Sequence, residues 1–140
     1  MPGWVRSTAQ ERRRIPIAHL IDTWAWIEYF ETPTPGIEEI IAGRDMVYTS
    51  IITITELVTS FTWKSGRLPV ADAVEKVYRL SRVIPIDRQA ATRAGSYSKK
   101  EFPGGIADRI ILATAETRGL TIVTGDQHFK GRLGVVYIGK

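Results

Sequence analysis

The sequence predicts an α/β fold whose central sheet is mainly parallel. Short apolar segments of strand character alternate with helical segments of about 10–15 residues, an alternation that is typical of parallel sheets. The chain has 140 residues, of which 44% are hydrophobic and 24% charged. This length and composition are typical of a single globular domain that buries a hydrophobic core.

The first elements follow a basic segment. Residues 1–14 end in three arginines and are expected to form a flexible N-terminal arm, which leaves residues 15–140 as the folded domain. Ile15–Ile21 has the apolar composition of a buried strand, and Thr23–Phe30 is predicted to form a short helix. The prolines within Thr32–Gly36 break this helix.

The middle of the chain continues the alternation. A helix is predicted at Ile37–Ala42 and a strand at Met46–Ser50. Apolar residues recur at helical spacing from Ile51 to Phe61, with Gly66 as the expected stop, and Val70–Leu80 repeats this spacing.

The C-terminal elements begin or end at glycines. Gly104 and Gly105 open a mostly apolar helix, and Gly119 closes it. In chain order, the sequence predicts a strand at Val83–Ile86, a helix at Asp87–Lys100, the apolar helix at Ile106–Arg118, and strands at Leu120–Thr124 and Val135–Ile138.

Composition narrows the classes of function. The absence of cysteine excludes disulfides, thiolate metal sites and cysteine nucleophiles. No apolar run approaches the roughly 20 residues of a membrane span, and the N-terminal segment lacks the apolar core of a signal peptide, so a cytoplasmic location is expected. The net charge of +4 suits a polyanionic substrate such as nucleic acid. A basic surplus also occurs, however, in small proteins that bind no nucleic acid.

Four acidic residues interrupt or adjoin apolar runs, and we call them the acidic quartet: Asp22, Glu56, Asp108 and Asp126. An isolated charge costs several kcal/mol to bury, so such residues usually share a counter-charge. No lysine or arginine recurs beside all four, which makes a divalent metal the economical partner. Carboxylates without thiolates favour Mg²⁺ or Mn²⁺ over zinc.

The predicted topology brings the quartet to one edge of the sheet. A helix of about 13 residues climbs roughly 20 Å and the following strand returns roughly 17 Å, with the reversal at Gly119. Asp108 and Asp126 therefore return to the same edge. Asp22 also follows a strand, and Glu56 lies early in a helix that follows one, so all four are expected at the carboxyl ends of the strands.

Each acid also has a structural alternative. Asp22 and Asp126 could cap the helix or turn that follows them, and Asp108 could simply favour a helix N-terminus. Glu56 could be a solvated helix residue. Capping alone, however, does not explain why all four should meet at one edge.

Three segments carry a family resemblance. LIDTWAWIEYF contains a strand followed by Asp-Thr, ITITELVTS contains a glutamate on a helix, and GGIADRIILATAETRGLTIVTGDQHF joins an aspartate-containing helix to a strand and a T-x-D-x-x-F turn. Their order and spacing resemble the PIN-domain ribonucleases, in particular the VapC-type toxins of prokaryotic toxin–antitoxin pairs. The resemblance extends from Ile17 to Tyr137.

This resemblance implies a PIN-like three-layer α/β/α fold and a metal-dependent endoribonuclease that cleaves RNA with a metal-activated water. The acidic quartet would be catalytic and would bind Mg²⁺ or Mn²⁺, with the hydroxyls of Thr23 and Thr124 supporting the site. The resemblance also implies a homodimer and inhibition by a cognate antitoxin protein.

Two features depart from the family pattern. His128 stands where many members carry another acid, and the arm before Ile15 is longer than usual. His128 could contact phosphate or assist proton transfer near Asp126, or it could be a solvent-exposed turn residue. His19 lies inside an apolar strand and is expected to be a hydrogen-bonded core histidine.

Aromatic and basic residues offer candidate contact surfaces. Trp24, Trp26, Tyr29 and Phe30 could stack RNA bases, but aromatics at helical spacing favour a subunit or antitoxin interface. Some basic residues are expected to rim the substrate groove, and the candidates are Lys64, Arg67, Lys99, Lys100, Lys130 and Arg132.

Two other functions compete with nuclease activity. A phospho-acceptor signalling domain also gathers acids at this edge, but it needs a mid-chain aspartate and a lysine just beyond its last core strand. Here the mid-chain acid is Glu56, and only Gly139 and Lys140 follow the last strand. A PIN-like module that binds RNA or a partner without cutting would have no need of the whole acidic quartet.

Overall fold

The computed structural model describes residues 17–63 and 69–139. The expected arm at residues 1–14, the helix stop at Gly66 and two candidate phosphate contacts, Lys64 and Arg67, lie outside the described residues.

Strands and helices alternate through the described chain. The strands are β1 (Ala18–Ile21), β2 (Met46–Ser50), β3 (Arg82–Ile84), β4 (Thr121–Thr124) and β5 (Val135–Tyr137). The helices are α1 (Thr23–Glu31), α2 (Pro35–Ala42), α3 (Ile51–Trp63), α4 (Val70–Leu80), α5 (Arg88–Ser96) and α6 (Ile106–Arg118), with a short 3-10 helix at Gln127–Phe129.

The five strands form one sheet in the order β3-β2-β1-β4-β5, and each neighbouring pair is parallel. In the centre of the sheet, Leu20 of β1 lies opposite Tyr48 of β2 and Ile122 of β4. The chain builds outward from β1 through β2 to β3, and then returns to place β4 on the other side of β1. The strand order therefore reverses between β1 and β4, and open α/β sheets place their sites at such a point.

The two faces of the sheet bury different side chains because successive strand residues point in opposite directions. Ile21 and Val123 pack with buried residues of α1, α2, α3 and α4. Leu20 and Ile122 pack on the other face with buried residues of α6, against which α5 packs through alanines. The predicted three-layer α/β/α arrangement is confirmed.

Several element boundaries differ from the prediction for local reasons. Helix α2 begins at Pro35, two residues early, because proline needs no amide partner in the first turn. Strand β3 ends at Ile84, since Pro85 has no amide hydrogen for the ladder. Helix α5 starts after Asp87 and ends at Ser96 rather than Lys100, with extended backbone at the next residue.

The aromatic segment of α1 forms core more than surface. Trp26 is fully buried, and its indole nitrogen donates to Thr49 Oγ1 at 3.0 Å. Its ring stacks on Phe30, which meets Phe61 edge-on. The expectation that Trp26 belongs to an interface or stacks RNA bases is therefore wrong.

Within the described ranges, no helix has both the length and the apolar character needed to cross a membrane.

Candidate metal site

Asp22 connects the end of β1 to the start of α1. One carboxylate oxygen, Oδ1, accepts the amide hydrogen of Ala25 at 2.9 Å and so caps α1. The other, Oδ2, accepts the hydroxyl hydrogen of Thr124 from β4 at 2.5 Å. The residue is only 2% exposed. Helix capping thus explains the position of Oδ1. It does not explain that of Oδ2, which points from β1 toward β4, the two strands between which the strand order reverses.

Thr124 connects Asp22 to Asp126. Its buried hydroxyl donates to Asp22 and accepts the backbone amide hydrogen of Asp126 at 2.9 Å. Asp126 follows β4 after Gly125, where an added Cβ would lie 2.3 Å from the Trp24 ring. A larger residue at position 125 would require the Trp24 ring to move, so this close approach favours glycine in the turn that carries Asp126.

Asp108 lies in the first turn of α6, and the loop before it is closely packed. A Cβ on Gly104 would lie 2.5 Å from the ring of Phe102 and 3.0 Å from the Cβ of Asp108. Arg109, the cation next in sequence, turns away from the carboxylate. Its guanidinium donates to the carbonyl oxygens of Gly104 at 3.0 Å, Phe102 at 3.2 Å and Tyr97. Arg109 therefore anchors the loop and does not pair with Asp108.

Glu56 lies on α3, where the hydroxyl of Thr23 donates to its Oε1 at 2.6 Å. Thr53, one helical turn earlier, places its buried hydroxyl 3.1 Å from that of Thr23. Glu56 is thus half-buried and held by a partner from α1, which is not the environment of a solvated helix residue. Sequence reasoning missed Thr53, although its position three residues before Glu56 places both on one helix face.

His128 joins the same cluster from the 3-10 helix. Its Nδ1 lies 2.8 Å from Asp126 Oδ1 and 3.6 Å from Asp108 Oδ2. One nitrogen of His128 and one oxygen from each aspartate all lie within 4.8 Å of one another. The side chain is 48% exposed, so the ring both contacts the carboxylates and remains open to solvent.

The electrostatics link the whole quartet. Burial raises the pKa of Asp22 to about 7, an effect that the hydrogen bonds from Thr124 and Ala25 oppose and the charges of Asp126 and Asp108 reinforce. Burial likewise raises the pKa of Asp108 to about 6, with the charges of Asp126 and Glu56 adding to it.

No lysine or arginine in the part of the chain that the structure describes pairs with any member of the quartet. Among the described residues, the ligand atoms that lie within 4.8 Å of one another are those of Asp108, Asp126 and His128, and Asp22 and Glu56 do not join that group. Carboxylate oxygens without a lysine or arginine partner are donors that suit Mg²⁺ or Mn²⁺.

Other candidate residues lie apart from these contacts. Lys130 lies over the Tyr137 ring at 5.4 Å, and Arg132 lies over the Phe102 ring at 5.2 Å. Lys99 and Lys100 are exposed in a turn after α5. A role for these cations at the rim of a substrate groove stays a prediction.

His19 is buried, as expected of a core histidine. Within the described residues its Nδ1 has no hydrogen-bond partner, and this nitrogen lies 3.9 Å from Oδ2 of Asp45.

Comparison with known protein families identifies the family of this chain. A family model described as PIN domain matches residues 19–132. The search of curated proteins finds no match.

Several solved structures have the same fold. A toxin–antitoxin complex from Klebsiella pneumoniae matches with a TM-score of 0.67 and 24% identity, covering 84% of this chain and 95% of that one. A DNA-bound VapBC complex from Salmonella typhimurium matches with a TM-score of 0.71 and 24% identity, covering 88% and 98% of the two chains. The VapC20 toxin from Mycobacterium tuberculosis, described as cleaving the sarcin–ricin loop, matches with a TM-score of 0.62 and 20% identity over 84% and 98%.

Proposed function

Because the chain belongs to the PIN-domain family, we propose that it is a metal-dependent endoribonuclease and the toxin of a prokaryotic toxin–antitoxin pair. The observation that carries this proposal is the environment of Asp22. Its carboxylate is buried where the strand order reverses and lies within the electrostatic reach of Asp108 and Asp126. Among the described residues, no lysine, arginine or histidine pairs with this carboxylate, so a divalent ion would stabilise its ionised form.

The acidic quartet would hold Mg²⁺ or Mn²⁺. A bound ion of this kind supplies an activated water and stabilises the leaving oxygen of a phosphodiester. Thr124 holds Asp22 and the backbone of Asp126 in register, and Thr23 fixes Glu56. These hydroxyls restrict the carboxylate rotamers before any ligand arrives, so little side-chain order has to be gained on binding.

RNA is the proposed substrate, and a small antitoxin protein is the proposed partner. The net charge of +4 favours a polyanion overall, in spite of the acids gathered at the site. Support for the partner comes from solved toxin–antitoxin complexes with this fold, and support for RNA cleavage from a toxin described as cutting the sarcin–ricin loop. A homodimer, a cytoplasmic location, and an arm at residues 1–14 distinct from a domain at 15–140 belong to the same proposal.

The alternative is a PIN-like module that binds RNA or a protein without cutting. The complete quartet weighs against it. A module of that kind gains nothing from burying Asp22 at a cost in folding free energy, or from the hydroxyl contacts that orient Asp22 and Glu56.

The test is cleavage of total RNA by the purified full-length chain, followed by sequencing of the product ends. Cleavage should require Mg²⁺ or Mn²⁺ and should disappear in EDTA and in Asp22→Asn. The products should carry 5′-phosphates and 3′-hydroxyls, because the attacking group is water and not the ribose 2′-hydroxyl. Undiminished cleavage after EDTA dialysis, or ends with cyclic 2′,3′-phosphate, would refute the proposal.

A further inference from the structure

His128 places a nitrogen donor among carboxylate oxygens. Its Nδ1 is within 2.8 Å of one oxygen of Asp126 and 3.6 Å of one oxygen of Asp108. Ligand atoms from the three residues all lie within 4.8 Å of one another, a spacing that a single ion can span. Because an ionised carboxylate only accepts, the 2.8 Å contact is a hydrogen bond in which Nδ1 carries the ring proton. An ion bound by both groups would replace this hydrogen bond, with the ring proton held on Nε2 instead, and His128 is positioned to serve the same ion as the two acids.

Contacts on both sides of the turn orient His128 toward the acids. The backbone amide of His128 donates to Asp126 Oδ1 at 2.9 Å, the same oxygen that the ring approaches. The next residue, Phe129, is fully buried and packs on Phe102 at 5.1 Å between ring centroids. The His128 ring meets the same Phe102 edge-on at 6.5 Å. The ring of His128 is thus held between Asp126 and Phe102.

Nitrogen and oxygen donors select different ions. Mg²⁺ binds oxygen ligands almost exclusively, whereas imidazole suits first-row transition metals, whose affinities rise from Mn²⁺ onward. A site with one imidazole beside carboxylates therefore gains affinity for Mn²⁺ without a matching gain for Mg²⁺.

We propose that His128 supplies an imidazole nitrogen to the ion held by Asp108 and Asp126, and that this ligand gives the site a preference for Mn²⁺ over Mg²⁺. This inference rests on the proposed function, which requires an ion at the quartet. It makes His128 the residue that determines which ion is bound.

Calorimetric titration of the full-length, metal-free protein with Mn²⁺ and with Mg²⁺ measures the preference directly. Asn at position 128 removes the imidazole but keeps an amide oxygen that a hard ion accepts. His128→Asn should lower Mn²⁺ affinity about tenfold or more and Mg²⁺ affinity less than about threefold. Gln127→Ala, on the same turn, is the matched control and should change neither. Equal losses for the two ions would overturn the inference.

Pulsed EPR of the Mn²⁺-loaded protein tests the ligand itself. The chain has only two histidines, so a nitrogen coupling that changes when histidine is labelled with ¹⁵N and vanishes in His128→Asn identifies this ring. Mn²⁺ binding and metal-dependent cleavage without such a coupling would refute the ligand and leave the proposed function intact. Failure to bind either ion would refute both.

Discussion

Replacing Asp22 by asparagine should stabilise the metal-free protein. Asparagine removes the buried charge and keeps an oxygen that can accept from the Ala25 amide, so the cap of α1 survives. Asparagine cannot accept the hydroxyl hydrogen of Thr124 on its amide nitrogen, however, and this lost contact costs about 1 kcal/mol.

The magnitude follows from the pKa. Burial raises the pKa of Asp22 from 3.8 to about 7. Since each pH unit corresponds to about 1.4 kcal/mol, ionised Asp22 costs about 4 kcal/mol of folding free energy at pH 8. After the lost Thr124 contact is deducted, the variant should be more stable than the parent by about 3 kcal/mol at pH 8.

The pH dependence has a definite sign. A carboxyl whose folded-state pKa is raised stabilises the fold when protonated, fully below pH 3.8, and this contribution is lost as the pH rises through about 7. The advantage of the variant should therefore be about 2 kcal/mol smaller at pH 5.5 than at pH 8. The difference between the two proteins removes the contribution of titrating groups far from Asp22 and leaves that of Asp22 together with its coupling to Asp108 and Asp126.

The assay is urea unfolding in EDTA at both pH values. Asp87→Asn is the matched control, because Asp87 also follows a strand and caps a helix, accepting from the Ala90 amide at 2.8 Å, but lies outside the quartet. This control also loses a part-exposed ion pair with Arg118 at 3.6 Å, and it should change stability by less than about 1 kcal/mol at either pH. An Asp22→Asn protein that is less stable than the parent at pH 8 would refute the argument from buried charge.

Other perturbations give further expected outcomes. Millimolar Mg²⁺ or Mn²⁺ should raise the melting temperature of the parent by mass action, and should raise that of Asp22→Asn much less. Equal shifts in the two proteins would show that Asp22 is not a metal ligand. Thr124→Val should cost about 1–3 kcal/mol in urea unfolding, because a buried carboxylate and a backbone amide lose a partner, whereas Thr121→Val on the same strand should cost less. Burial lowers the pKa of His19 below 6.5, so its contribution to stability is present above that pH and lost below it. His19→Gln should weaken this acid-side loss between pH 7 and 5 in urea unfolding, and an unchanged profile would contradict it. Light scattering at micromolar concentration should give the mass of a dimer, and a monomer mass would count against the proposed assembly.

Local chemistry made much of the fold predictable. Met46–Ser50, Val70–Leu80 and Ile106–Arg118 have the predicted bounds because periodicity and flanking breakers determine them locally. Gly119 closes its helix with φ of 67°, a left-handed conformation that glycine adopts at little cost. The approach of Asp108 to Asp126 was also predictable from the chain reversal at Gly119, whereas a metal site formed by all four acids stays a prediction.

Side-chain partners were less predictable because tertiary packing decides them. Aromatics at helical spacing look the same whether they face a core or a partner, so Trp26 was assigned to the wrong surface. Arg109 follows Asp108 in the sequence and could have paired with it. In the structure its guanidinium instead donates to backbone carbonyl oxygens of the preceding loop. Thr53 meets Thr23 only because α3 packs beside α1.

The hydrogen bond from Thr124 to Asp22 also has a consequence for biosynthesis. It joins positions 102 residues apart, and β4 and the turn bearing Asp126 follow helices α1 to α6 in chain order. The set of carboxylates is therefore incomplete until this segment has been made and β4 has paired with β1. Fragments that end before β4 should lack the proposed cleavage activity.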